Sequence, residues 1–129
     1  MKIISRITII AIAFSLSNAV VSQEKPLSQQ VAATALKIWP DTIPIGSQTK
    51  WSYDMGVVLK GFEGIWMKTG DVSYFNAIQG KMDYFVQNDG TIKGYEADEY
   101  NLDHVNNGKL VMLLYRVLGR DKYKKRLML

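Results

Sequence analysis

The chain has 129 residues, no cysteine, one histidine and a formal net charge of +4. Without cysteine there is no disulfide scaffold, so the fold must rest on a hydrophobic core, and the length allows one small domain at most. The charge does not suit a nucleic-acid binder: acids outnumber bases from Gln23 to Tyr115, and the basic surplus is confined to Arg116 onward.

The chain opens with Lys2 and Arg6, an apolar run from Ile7 to Leu16, and then Ser17, Asn18, Ala19 and Ser22. Basic start, apolar stretch and small-residue zone, in that order, predict a secretory signal peptide over residues 1–22, cleaved between Ala19 and Gln23. The apolar run is about half the length that spans a bilayer. The sequence therefore predicts export to the periplasm or outside the cell, with no stable membrane anchor after cleavage. Residues 23–129 form the expected domain.

Leu27 to Trp39 reads as a first helix, with Ser28 as a possible cap and Val31, Ala35 and Ile38 on one face. Pro40 stops it, and Pro44 with Gly46 marks a loop. A second helix is expected from Tyr53 to Lys68, carrying Met55, Val58, Leu59, Phe62, Ile65 and Trp66 at helical period, with Gly70 as C-terminal cap. Gly56 lies inside it, where glycine points to close packing or ligand approach. Asp71 caps a third helix with Tyr74, Phe75, Ile78, Met82 and Phe85 as its apolar stripe. Asn88-Asp89-Gly90 is a turn signal, and Thr91 to Tyr100 an irregular loop. A fourth helix starts near Asp103, uses Val105, Leu110, Leu113, Leu114 and Val117, and ends at Gly119. The basic residues beyond it are expected on a solvated helix face.

The two helix junctions repeat. Gly70 and Gly119 stand 49 residues apart, as do Tyr74 and Tyr123, and the same offset pairs Trp66 with Tyr115, Phe62 with Val111 and Ile65 with Leu114. Each unit is a helix, a glycine-capped turn and a second helix. Helical hairpins of this kind bury their apolar faces only against neighbours. The final residues, Lys124 to Leu129, are apolar at the end and lack a helix stop, so the sequence looks cut.

Polar chemistry concentrates between Gly94 and Gly108, where acids, amides, tyrosines and His104 crowd together. Such a set suits sugar hydroxyls and carboxyl acid–base work. Asp103 is the leading candidate, although an aspartate at a helix start is most often a cap. The positive end of a helix also favours an electrostatic or positioning role over proton donation. His104, the single histidine, is expected to be a loop residue or a minor substrate contact, and no metal site is expected. Trp51 and Tyr53 offer a stacking wall for a sugar, with a hydrophobic staple as the competing role for Trp51.

Three stretches of sequence carry a resemblance: Trp51-Ser52-Tyr53-Asp54-Met55-Gly56-Val57, Thr69-Gly70-Asp71 with Tyr74-Phe75, and Tyr100 through Gly108. Together they resemble the N-terminal third of glycoside hydrolase family 105, the unsaturated rhamnogalacturonyl hydrolases, over Pro26 to Leu129. The resemblance implies an all-α fold, here an incomplete (α/α)6 toroid of helical hairpins. It also implies an unsaturated uronyl oligosaccharide as ligand and needs no cofactor. The implied reaction protonates the C4–C5 enol ether and adds water at C5, and the hemiketal collapses to release unsaturated uronic acid. Asp103 matches the first of two aspartates lining the family's site, and Tyr53 an aromatic that contacts the unsaturated sugar. Trp51, His104 and Asn106 stand beside them as candidate substrate contacts. The family's usual proton donor belongs to a later segment, so residues 1–129 alone are expected to be inactive. The competing expectations are a non-catalytic helical-repeat binding module and an inactive gene remnant.

Overall fold

The computed structural model describes residues 24–38 and 50–128. The expected leader, Trp39 and the Pro40–Gly46 loop lie outside the described residues. Five α-helices lie among the described residues: α1 (Leu27–Ile38), α2 (Tyr53–Thr69), α3 (Val72–Phe85), α4 (Val105–Leu118) and α5 (Asp121–Met128). Short 3-10 turns at Ala97–Glu99 and Leu102–His104 lead into α4. Among the described residues the extended pairing is one antiparallel bridge between Val86 and Ile92, which closes the Asn88-Asp89-Gly90 turn. None of the described helices is long and apolar enough to cross a membrane.

The helices pair as two hairpins, α2 with α3 and α4 with α5, and α2 also packs against α4 and α1. Both hairpins turn on a left-handed glycine, Gly70 at φ 72° and Gly119 at φ 64°. Each glycine N–H closes the preceding helix, Gly70 on the Trp66 carbonyl at 2.7 Å and Gly119 on the Tyr115 carbonyl at 2.8 Å. A side chain with Cβ disfavours that backbone region, which is why glycine occupies both junctions. The 49-residue repeat is thus present in backbone geometry. Its paired side chains follow: Phe62 with Val111, Ile65 with Leu114 and Tyr74 with Tyr123 are all buried.

Asp71 does cap α3, accepting from the Ser73 N–H at 3.0 Å. In the second hairpin the equivalent position is Arg120 rather than Asp121, and the Arg120 carbonyl accepts from Tyr123 N–H as the Asp71 carbonyl accepts from Tyr74 N–H. Arg120 therefore cannot cap through its side chain and instead reaches Asp83 at 3.1 Å. Lys122 joins the same carboxylate at 2.7 Å, and the Tyr123 hydroxyl donates to it. Burial alone would push the Asp83 carboxyl up. Hydrogen bonds from Lys122, Tyr123 and Gln79, with the Lys122 charge, outweigh it and hold Asp83 below the usual carboxylate range.

The core is one cluster. Phe62 packs on Tyr74, Trp66 on Phe75 and Trp51 on Phe85, with ring centroids 5.4, 4.8 and 5.6 Å apart. Ile78, Met82, Leu110, Val111 and Leu114 are fully enclosed between them. Burying one such side chain contributes about 1.5–3 kcal/mol.

Three sequence expectations need correction. Ser28 does not cap α1, because the helix begins at Leu27 and the Pro26 carbonyl accepts from the N–H groups of Gln29 and Gln30. Val31 and Ile38 face solvent; α1 meets the core through Ala32, Ala35 and Leu36, whose smaller members allow a closer approach. The basic end is only partly solvated. Besides the Asp83 contacts, Lys125 donates to the Asn88 carbonyl and the Arg126 guanidinium lies 4.6 Å from the Tyr95 ring. Gly90, at φ 92°, makes room for this docking, since a Cβ there would stand 2.8 Å from Lys125 Cβ and 2.9 Å from Arg126 N.

Candidate functional site

The candidate residues gather where the N-terminal ends of α2 and α4 meet. Gly56 makes that approach possible: a Cβ there would overlap the Asn107 carboxamide oxygen and stand 2.9 Å from Asn106 Nδ2. Asn107 is fully buried and donates through Nδ2 to the Ser52 carbonyl at 3.0 Å. The helical glycine that marked close packing in the sequence has therefore found its partner. Asn107 itself was not singled out, because its contact lies 55 positions away along the chain.

Trp51 is 3% exposed. Its indole N–H donates to the His104 carbonyl at 3.2 Å and its ring lies edge-on to Phe85. The ring thus serves the core and tethers the segment that carries Asp103, with one edge left at a cleft. Tyr53, the first residue of α2, is 52% exposed.

Asp103 occupies the 3-10 turn before α4 and is exposed. It does not cap α4, which has no side-chain cap; Asn101 caps the turn itself, its side chain accepting from the Asp103 N–H at 3.0 Å. Among the described residues the Asp103 carboxylate has no hydrogen bond or ion pair. The preceding Tyr100 has φ 48°, a left-handed value that costs a tyrosine about 1–2 kcal/mol and redirects the chain into this turn. Asn106 is half-buried against Gly56.

His104 is held from two sides. Its ring lies 5.5 Å from Tyr95, and Nδ1 is 4.0 Å from the Glu99 carboxylate, too far for a hydrogen bond. That nitrogen is buried without a partner, as is Asn107 Oδ1. A cleft of about 420 Å³ adjoins the residue, lined among others by Lys50, Trp51, Tyr84, Lys93, Glu99 and His104. Asp103, Tyr53 and Asn106 do not line this cleft. The structure therefore divides the predicted set: Trp51 and His104 border the enclosed space, while Tyr53 and Asp103 stand exposed on adjoining helix ends. Lys50, Tyr84 and Lys93 have no local sequence signal, since only folding brings them together. Among the described residues no three His, Cys, Asp or Glu side chains converge to hold a metal ion.

Residues 27–128 match the family model described as Glycosyl Hydrolase Family 88. The chain belongs to this family. A search of the curated proteins gives no match. Among solved structures, the chain is similar to a glycoside hydrolase of family 105 from C. acetobutylicum ATCC 824, with 35% identity and a TM-score of 0.66. The match covers 81% of this chain and 28% of that one, so the family 88 segment spans little more than a quarter of the solved relative. That relative has an (α/α)6 toroid, and the hairpins described above are built as such a toroid is. The resemblance read from the three motifs and the all-α toroidal class are both borne out.

Proposed function

We propose that this family 88 chain supplies the Asp103 and Tyr53 side of a site that releases unsaturated uronic acid from lyase-generated rhamnogalacturonan oligosaccharides. The observation that carries this reading is the state of Asp103. It caps no helix, and Asn101 caps the turn that carries it, so an exposed, unengaged carboxylate stands on a turn anchored by Trp51 and Asn107. A carboxylate on an anchored turn, without a partner of its own, suits work on a ligand.

In the proposed reaction a proton adds to C4 of the enol ether and the oxygen of water bonds to C5. The C5 hemiketal then opens to a ketone, and the hemiacetal left at C1 expels the remaining sugar, so one water is consumed per bond cleaved. Asp103 orients the attacking water or the substrate hydroxyls, and Tyr53 packs its exposed ring on the unsaturated sugar. The proton comes from a second carboxyl group of the site. In this reading the protein is exported, and Trp51 and His104 position the site while Asn106 fixes the spacing of the helix ends.

Calorimetric titration of the full chain with the unsaturated disaccharide tests the reading. The expected result is saturable binding, weakened at least tenfold or so by Tyr53→Ala and by Asp103→Asn, each removing about 1.4 kcal/mol or more. Equal affinity for the saturated disaccharide, or no effect of either substitution, overturns it.

A further inference from the structure

We propose that the cleft between the α3 end, the 93–99 segment and His104 is a separate subsite for the carboxylate of an acidic sugar. It deepens the proposed function and rests on it for the sugar, but the preference for an anion stands on the cleft. Three observations point the same way. The volume of about 420 Å³ falls within the range of small-molecule sites and accommodates a single sugar ring. Lys50 and Lys93 lie at its wall against one acid, Glu99, and neither lysine has an ion pair among the described residues. The Lys93 ammonium is held 4.4 Å over the Tyr84 ring, which fixes a cation beside the opening.

The decisive feature is His104 Nδ1. A buried nitrogen without a hydrogen bond is uncommon in a folded protein and costs stability until something satisfies it. Glu99, at 4.0 Å, does not make the bond itself. With a small turn of the ring toward the cleft, a ligand carboxylate can accept from Nδ1–H with one oxygen and face the lysines with the other. The Glu99 oxygens are then acceptors for a neighbouring sugar hydroxyl. The Trp51 and Tyr84 rings supply the apolar wall that a sugar face needs.

His104 is the one histidine in the chain, so its imidazole proton signals identify themselves in the spectrum of the full-length protein. Titration with galacturonate, galactose and acetate at constant pH and ionic strength reads the site directly. Galacturonate is expected to shift the His104 signals saturably, while galactose leaves them in place and acetate acts only at much higher concentration. Lys93→Gln is expected to weaken galacturonate about three- to fivefold, the scale of one exposed ion pair. No saturable shift, an equal response to galactose or to acetate, or unchanged affinity in Lys93→Gln overturns the assignment. Lys50→Gln gives the same reading should Lys93→Gln fail to fold. The titration reads the His104 cleft alone, whereas the disaccharide test reads Tyr53 and Asp103, so each proposal can fail without the other.

Discussion

Gly56 and Asn107 occupy each other's space: the buried carboxamide of Asn107 lies where the first carbon of any side chain at position 56 would stand. The two residues set how closely α2 and α4 approach, and through Ser52 they set where α2 begins. Gly56→Ala should therefore lower stability by about 1–3 kcal/mol as an overpacking change, although alanine is otherwise the better helix former. Thermal melting of the two proteins checks it. A rise in Tm for the alanine variant would show that the helices can part without cost.

Stability should depend on pH at both extremes through Asp83 and Tyr123. The Asp83 carboxyl is held below its ordinary value, so its contribution is present above the unfolded value of about 3.9 and is lost as pH falls through the lower folded value. Tyr123 goes the other way. Burial first, and then its hydrogen bond to Asp83, push its hydroxyl well up, so stability declines once pH rises above the unfolded value of about 10. Tyr123→Phe should flatten the alkaline limb and leave Asp83 with the two cations. Chemical denaturation at a series of pH values measures both limbs; an unchanged alkaline limb in Tyr123→Phe would contradict this assignment.

Asp103 separates a structural carboxylate from a functional one. Capping aspartates lose about 0.5–2 kcal/mol of stability on replacement by alanine, whereas an exposed side chain without partners changes it by about 0.5 kcal/mol or less. Asp103→Ala should melt with the wild type, and Asn101→Ala should carry the capping cost instead. The reverse order of melting temperatures would return Asp103 to a structural role.

The helices, their glycine stops and the hairpin repeat were legible because each is written locally, in periodic apolar residues and in backbone positions that glycine alone tolerates well. Tyr74, Phe75, Ile78, Met82 and Phe85 were all placed correctly in the core. On α1 the same reasoning put Val31 and Ile38 with Ala35, whereas the core meets Ala32, Ala35 and Leu36, because apolarity does not show which face a neighbour will approach. The basic residues after Arg116 looked solvated until Asp83, Asn88 and Tyr95 were brought beside them. The site was legible in the same uneven way. Its exposed members, Tyr53 and Asp103, lie in short recognisable motifs, but the cleft behind them draws on residues from position 50 to position 104 that only the tertiary structure assembles.

The bonds that tie the two helix ends together have a kinetic consequence. Trp51 to His104 spans 53 residues and Asn107 to Ser52 spans 55, whereas the contacts inside each hairpin close over far shorter loops. Closing a long loop costs more chain entropy, so the hairpins should form first and dock afterwards. The candidate site is then among the last parts of the molecule to assemble and among the first to loosen. Hydrogen exchange at the Trp51 indole and the Asn107 carboxamide would follow the docking step itself, apart from helix formation.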